Sequence, residues 1–328
     1  MRVLTRDQVD RLLPMPECIS LMEAALVALS RGDAQVPLRT VMPLPGRHDV
    51  LALMPASAGA PAALGAKIIT VFPGNRQRGL DGHQGAVLLF DPDDGRLLAL
   101  LDASSITAIR TAAVSGVATR LLARPEASTL ALLGSGVQAW THLRSTAAVR
   151  RLTRVQVWSR TPAHAAAFVE RAARTYDLDV TACASAAEAV RGADIICSVT
   201  SAREPVLEGA WLEPGAHVNA VGASQPDARE LDSDAVARSR IYADRRESLV
   251  NESADYLVPL REGRLPAGRS VPELGEVLEG TAEGRTSPQD ITLFKSLGLA
   301  IEDLLAARHV VDRAEAQDIG TVVDLAEG

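Results

Sequence analysis

Residues 129–139, Thr-Leu-Ala-Leu-Leu-Gly-Ser-Gly-Val-Gln-Ala, constrain this chain more than any other stretch. An apolar run too short for a helix, 130–133, leads straight into a glycine pair, Gly134 and Gly136. Beyond it, Trp140, Leu143, Ala147 and Ala148 recur at helical spacing. Strand, tight turn and helix in that order are the context in which a G-x-G-x-x-G/A pattern signals dinucleotide binding. Gly134 allows the tight turn, Gly136 lets a pyrophosphate approach the backbone, and Ala139 stands where helix and strand pack closely. Ser135, Val137 and Gln138 complete the turn, and the free N–H groups at a helix start favour an anionic ligand. Alone, such a turn is often only a turn.

The next strand raises its meaning. Val155-Gln156-Val157-Trp158 reads as the second strand of a βαβ unit, followed by Ser159-Arg160-Thr161-Pro162. An NAD-binding unit usually closes that strand with Asp or Glu, which bonds the ribose 2′-hydroxyl. Here Ser159, Arg160 and Thr161 take the place, a set better suited to a 2′-phosphate. A solvated loop arginine is the plain alternative, but the position favours NADPH over NADH. Thr200, Val221 and Gly222, at the ends of later strands, are further candidate cofactor contacts.

Composition bounds the rest. The 328 residues suggest about two domains, with 47% hydrophobic content and 3% aromatics, hence an aliphatic core. A net charge of −7 argues against nucleic acid as the main partner. No apolar leader and no membrane-length apolar stretch stand out, so the expected setting is cytoplasmic. Cys18, Cys183 and Cys197 are scattered and read as buried thiols, and neither they nor the six histidines show metal-ligand spacing. Of the 34 basic residues, only Lys67 and Lys295 are lysine. In a chain that otherwise uses arginine, the two mark places where a compact, titratable amine is needed, unless chance left them there.

In chain order, Thr5 and Gln8 form a capping-box pattern, and a helix over 16–31 stops at Gly32. Short β-like segments follow at 39–44 and 50–54, joined by residues 45–49, then at 66–72. A hairpin pairs 87–90 with 97–101. These predict a mainly antiparallel sheet. A small-residue helix, 105–122, leads into alternating strands and helices up to strand 240–244, expected to be the last parallel one. Residues 291–294 read as extended, and the amphipathic helix from 299 is expected to return to the N-terminal part. The fold class is therefore α/β: a doubly wound, Rossmann-type parallel sheet over 119–298, plus a second α/β domain of mainly antiparallel strands over 1–118 and 299–328. Open strand edges in that second domain suggest pairing in a homodimer.

Four charged residues stand in unusual company. Arg39 opens a strand, Lys67 lies within an apolar one, Arg110 is the only charge in 106–118, and Asp227 follows the strand ending at Gly222. An unpaired ammonium in Lys67's place would be expensive. Two arginines and a lysine suit a carboxylate, and Asp227 suits an amine or iminium. Taken singly, each also reads as an ordinary salt bridge.

Together with Leu53-Met54-Pro55, His83-Gln84, Ile106-Thr107-Ala108-Ile109-Arg110-Thr111, the 134–139 turn, Pro226-Asp227 and Phe294-Lys295-Ser296-Leu297-Gly298, these residues give the chain a recognisable pattern. It resembles the ornithine cyclodeaminase/mu-crystallin family, and its ketimine-reductase branch in particular, over nearly its whole length. The resemblance implies that Arg39, Lys67 and Arg110 hold a substrate carboxylate beside a nicotinamide and that Asp227 faces the amino or imino end. It implies that Thr111, 134–139, Ser159-Arg160-Thr161 and Ser296 line the cofactor, and that the N-terminal domain dimerises. The cyclodeaminases carry a water-activating glutamate two residues before the Met of the Met-Pro pair. Ala52 stands there in this chain and cannot act as a base.

The resemblance therefore implies an NADPH-dependent reductase of cyclic or open 2-imino acids, with Lys67 as proton donor or anchor and His83, read as a loop residue, as a weaker candidate acid. An amino-acid dehydrogenase is the nearest alternative. A cyclodeaminase is disfavoured by Ala52, and a cofactor-binding protein with little turnover stays open.

Overall fold

The computed structural model describes residues 1–47, 49–266 and 268–324, without the side chains of Arg76 and Gln77. His48 of the 45–49 connection and residues 325–328 lie outside the described residues. The chain divides into two compact units, one of Met1–Arg110 with Leu299–Gly328 and the other of Thr111–Gly298.

The first unit opens with β1 (Arg2–Leu4), α1 (Arg6–Leu12) and α2 (Met15–Ser30). At the start of α1 the Thr5 N–H donates to Gln8 Oε1 at 2.9 Å, as a capping box requires. Five strands follow: β2 (Ala34–Gln35), β3 (Thr40–Pro43), β4 (Val50–Gly59), β5 (Ala62–Val71) and β6 (His83–Phe90). β7 (Leu97–Asp102) then runs directly into α3 (Ala103–Leu122), within which the boundary between the units falls. β4 and β5 are ten residues each, longer than their apolar cores suggest, because the ladder continues through small residues such as Ala58 and Ala62.

The second unit begins with β8 (Thr129–Leu133), α4 (Val137–Val149), β9 (Arg154–Trp158), α5 (Pro162–Ala173), β10 (Asp179–Ala182) and α6 (Ala186–Val190). It continues through β11 (Ile195–Ser198), β12 (His217–Ala220), α7 (Ser233–Ala237), β13 (Arg240–Ala243), α8 (Arg246–Glu252), α9 (Ala254–Arg261), α10 (Leu274–Leu278) and β14 (Thr292–Lys295). Its seven strands are all parallel, in the order β10-β9-β8-β11-β12-β14-β13. The chain leaves β8 toward β9 and β10, then returns to lay β11 on the other side of β8. That reversal is the switch point at which open α/β sheets bind ligands. Alternate residues of the central strands feed two separate apolar layers: Leu130, Leu132, Val155 and Val157 enter one, and Ala131, Leu133, Ile196 and Val218 the other. Each layer is roofed by its own helices, as the doubly wound reading requires.

β13 is an edge strand of this sheet, and the late segment β14 inserts between it and β12. The expectation that 240–244 forms the last parallel strand is corrected accordingly. Lys295, expected just beyond an extended segment, is instead the last residue of a central strand.

The last elements, α11 (Ala300–Ala316) and β15 (Thr321–Val322), belong to the first unit. Its eight-stranded mixed sheet runs β15-β1-β7-β6-β5-β4-β2 with β3 on β4, and α11 packs against β4, β5, β6 and α2. The side of this sheet under α11 carries buried Ala52, Met54, Ala63, Lys67, Val87 and Leu89. Alternate residues on the other side, among them Leu53, Leu64, Ile68, Leu88 and Leu100, are apolar yet half-buried or exposed. The terminal strands β15 and β2 are two residues each, so this unit's uncovered apolar surface is a sheet face more than an open edge. Among the described residues no single helix is long and apolar enough to cross a membrane.

Candidate active site

In the second unit, the β8–α4 turn has the geometry that its sequence demands. Gly134 sits at φ +118°, and a Cβ there would meet the Val199 carbonyl oxygen at 2.9 Å, so no other residue fits without displacing the end of β11. Around Gly136 a Cβ would meet nothing within 4 Å: the backbone faces open space at the first residue of the turn that caps α4. No side chain caps that helix end. Gln138 Oε1, buried in the same turn, has no hydrogen-bond partner. A strained glycine, an open cradle and an uncapped helix start fit a dinucleotide pyrophosphate. Ser159, half-buried, and the exposed Arg160 and Thr161 follow β9 and would flank the adenosine ribose.

At the ends of β11 and β12 lies a carboxylate whose role the sequence did not reveal. Glu230 is fully buried. Its Oε1 accepts the Thr200 N–H at 2.6 Å and the Thr200 hydroxyl at 2.7 Å, while Oε2 accepts the Gly222 N–H at 2.6 Å. Burial raises its pKa above the ordinary carboxylate range, against the lowering effect of the Thr200 hydroxyl and of Lys295. A Cβ on Gly222 would meet Thr200 O at 2.1 Å, which explains the glycine. Thr200 and Gly222 thus have defined structural partners, and the buried Val221 donates its N–H to Ser198 O.

Lys295 is equally well placed and 1% exposed. It donates to the Ala223 carbonyl oxygen at 2.5 Å and to Asp255 Oδ2 at 2.9 Å. The other oxygen of Asp255 accepts the N–H groups of Glu230 and Leu231. One lysine and one aspartate therefore pin both ends of the segment 223–231, which carries Asp227. Asp227 itself is exposed and ion-paired with Arg203. Ser296, buried next to Lys295, donates its N–H to Ala220 O. Thr111 is buried on α3.

In the first unit the structure brings Lys67 and Arg110 to one carboxylate. Lys67 Nζ lies 2.6 Å from Asp303 Oδ2, and Arg110 Nε lies 2.9 Å from Asp303 Oδ1. Arg110 Nη1 reaches Glu302 Oε2 at 2.9 Å. All four side chains are at most 5% exposed. Thr107 Oγ1 stands 3.5 Å from the ammonium. Burial pushes Lys67 down to about 8, opposed by Asp303 and aided by Arg110 and Arg39. Burial works to raise the Asp303 carboxyl, but Arg110 and Lys67 outweigh it and hold it below the usual range. Arg39, half-buried just ahead of β3, is close enough to act on Lys67 electrostatically.

His83 is corrected: it opens β6, paired in register with Val71, with its carbonyl oxygen accepting the Ser104 hydroxyl. Of the cysteines, Cys18 and Cys197 are buried, and Cys183 is only half-buried.

The model of the ornithine cyclodeaminase/mu-crystallin family matches residues 1–318. The chain belongs to this family. It is 44% identical over 313 residues to ketimine reductase mu-crystallin of Mus musculus, spanning 94% of this chain and 96% of that protein. Among solved structures it is similar to Delta(1)-pyrroline-2-carboxylate reductase of Thermococcus litoralis in complex with NADH and L-proline, with a TM-score of 0.96 and 38% identity over 98% of this chain and 100% of that one. It is also similar to an archaeal alanine dehydrogenase dimer with bound NAD, with a TM-score of 0.93 and 30% identity over 99% of each chain.

Proposed function

We propose that the protein is an NAD(P)H-dependent reductase of cyclic 2-imino acids, with the substrate carboxylate held by Arg39, Lys67 and Arg110. The coarse part of this reading, an oxidoreductase acting on CH–NH groups with a nicotinamide cofactor, rests on family membership at the identities given above. The observation that carries the finer part is the buried Lys67–Asp303–Arg110 cluster, two cations gathered in an apolar setting with Arg39 beside them. Burying two cations together with their carboxylate partners Asp303 and Glu302 is costly, and presenting the cations to an anionic substrate is a reason to do so.

When bound, the nicotinamide supplies hydride to the C=N carbon. The chain's own residues do the rest. Arg39 and Arg110 fix the carboxylate and so orient the C=N bond. Lys67, held near pKa 8, is largely protonated at neutral pH and gives the proton from Nζ to the imine nitrogen. Asp227, whose Oδ2 pairs with Arg203, is the acid assigned to balance the positive charge on that nitrogen. His83, exposed at the start of β6, is a further polar group for the substrate side. Glu230, Asp255 and Lys295 hold the segment that carries Asp227.

Ala52 lies buried in β4 on the same side of the sheet as Lys67 and offers only a methyl group. Hydrolytic cyclodeamination therefore lacks its base. The same groups run in reverse would oxidise an amino acid, and the similarity to an alanine dehydrogenase keeps that direction open. We read NADPH as the preferred cofactor from Arg160, and the protein as a homodimer that covers the apolar sheet face around Leu53, Ile68 and Leu88. The reading is tested by NADPH oxidation with cyclic imino acids by the wild type and by Lys67→Met. Equal rates for the two would reject the site.

A further inference from the structure

The carboxylate between Lys67 and Arg110 is itself unexplained by the reaction just described. Asp303 splits its two oxygens, one to each cation, where an arginine alone would have taken both in a fork. Glu302 meets the second arm of Arg110, so charge compensation of the arginine does not need Asp303 to reach Lys67. Both acids stand in the first turn of α11, where the helix field favours a negative charge. Around Lys67 the charged groups are Arg110 from α3, Arg39 ahead of β3 and Asp303 from α11. Cys18 from α2 borders Arg110 and both acids, with its thiol kept neutral by burial. Two of the three charges facing the ammonium repel it, and burial disfavours it further. Asp303 is the group that opposes them.

We propose that Asp303 is a positioning residue for imine reduction: it keeps Lys67 in its ammonium form and fixes both Lys67 Nζ and the Arg110 guanidinium where they receive the substrate carboxylate. This rests on the placement of the carboxylate at Lys67 and Arg110. Asp303 touches neither substrate nor cofactor in this role. It acts through the two cations.

The test is the pH dependence of kcat/KM for NADPH-dependent reduction of piperideine-2-carboxylate by the wild type, Asp303→Asn, Glu302→Gln and Lys67→Met. Titration of the substrate itself is common to all four and cancels in the comparison. In the wild type, activity falls as pH rises through about 8, where Lys67 loses its proton. Removing the Asp303 charge lowers the Lys67 pKa, so in Asp303→Asn that fall moves to lower pH by about 1–3 units. Glu302→Gln, which removes an equally buried carboxylate from Arg110 alone, moves it less. A fall at the wild-type pH in Asp303→Asn, with activity reduced evenly across the range, would make Asp303 a structural ion pair only and overturn the proposal. If the asparagine variant does not fold, Asp303→Ser, which leaves room for water, carries the same expectation. Lys67→Met separates the two claims: full activity there removes the substrate site, whereas loss there with an unmoved profile in Asp303→Asn removes only the role of Asp303.

Discussion

Replacing Lys295 by methionine takes away an ammonium that is 1% exposed and touches two oxygens, of Asp255 at 2.9 Å and of Ala223 at 2.5 Å. Methionine is also unbranched and flexible, so the loss is mainly electrostatic. Asp255 would remain as a buried carboxylate with only the N–H groups of Glu230 and Leu231 on its other oxygen. Removing one partner of a buried ion pair costs ~3–5 kcal/mol. The two remaining N–H bonds place this case near ~3 kcal/mol. Each kcal/mol moves the melting temperature of a 150–250-residue domain by ~2–4 °C, so a fall of ~6–12 °C is expected by circular dichroism. The double variant Lys295→Met/Asp255→Asn is the internal control. The amide oxygen still accepts both N–H groups but carries no charge, so it should recover more than half of the loss. A single variant within ~2 °C of the wild type, or a double variant that merely sums its two singles, would refute the coupled-pair reasoning.

Three further outcomes are expected. Lys67→Arg keeps the charge but places a planar, permanently protonated group in a site built for a compact amine, so turnover should fall roughly 100-fold or more while NADPH binding changes little; near-wild-type turnover would reduce Lys67 to a structural residue. Arg160→Ala should weaken NADPH binding by ~1.5–3 kcal/mol and leave NADH nearly unchanged, measured by fluorescence titration; a wild type that binds both equally contradicts the assignment. Light scattering at micromolar concentration should give a dimer for the wild type and a smaller species for Leu53→Asp, which puts a charge into the exposed apolar sheet face; a monomeric wild type contradicts the expected assembly.

What could be read from the chain was what is local. The β8–α4 turn was legible because strand, glycine pair and helix are consecutive, and the structure adds only that the Val199 carbonyl oxygen excludes a side chain at Gly134. Lys67 was conspicuous because an ammonium in an apolar strand must have a partner. The partner was not legible, since Asp303 lies 236 residues away and looks like any acid in the first turn of a helix. The same holds for Lys295 and Asp255, whose 40-residue separation hides a contact made across strand and helix. Glu230 was not legible either, since nothing local in the sequence shows that both its oxygens tie the ends of two strands together. Strand order failed for a related reason. Nothing in Thr292–Lys295 says that it enters between β12 and β13, because insertion is decided by which neighbours accept its hydrogen bonds. His83 was misread as a loop residue because the glycine two positions on, Gly85 at φ +152°, breaks the apolar alternation while the ladder continues.

The central claim, reduction of an imine whose carboxylate is gripped by Arg39, Lys67 and Arg110, is tested most directly by one substrate pair. NADPH oxidation is followed with pyrroline-2-carboxylate and with pyrroline lacking the carboxylate, at equal concentration and pH. The account predicts rapid turnover of the first and a kcat/KM lower by roughly 100-fold or more for the second, since loss of the oriented anion forfeits both binding and alignment. Equal rates for the two, or no cofactor oxidation with either, would contradict it.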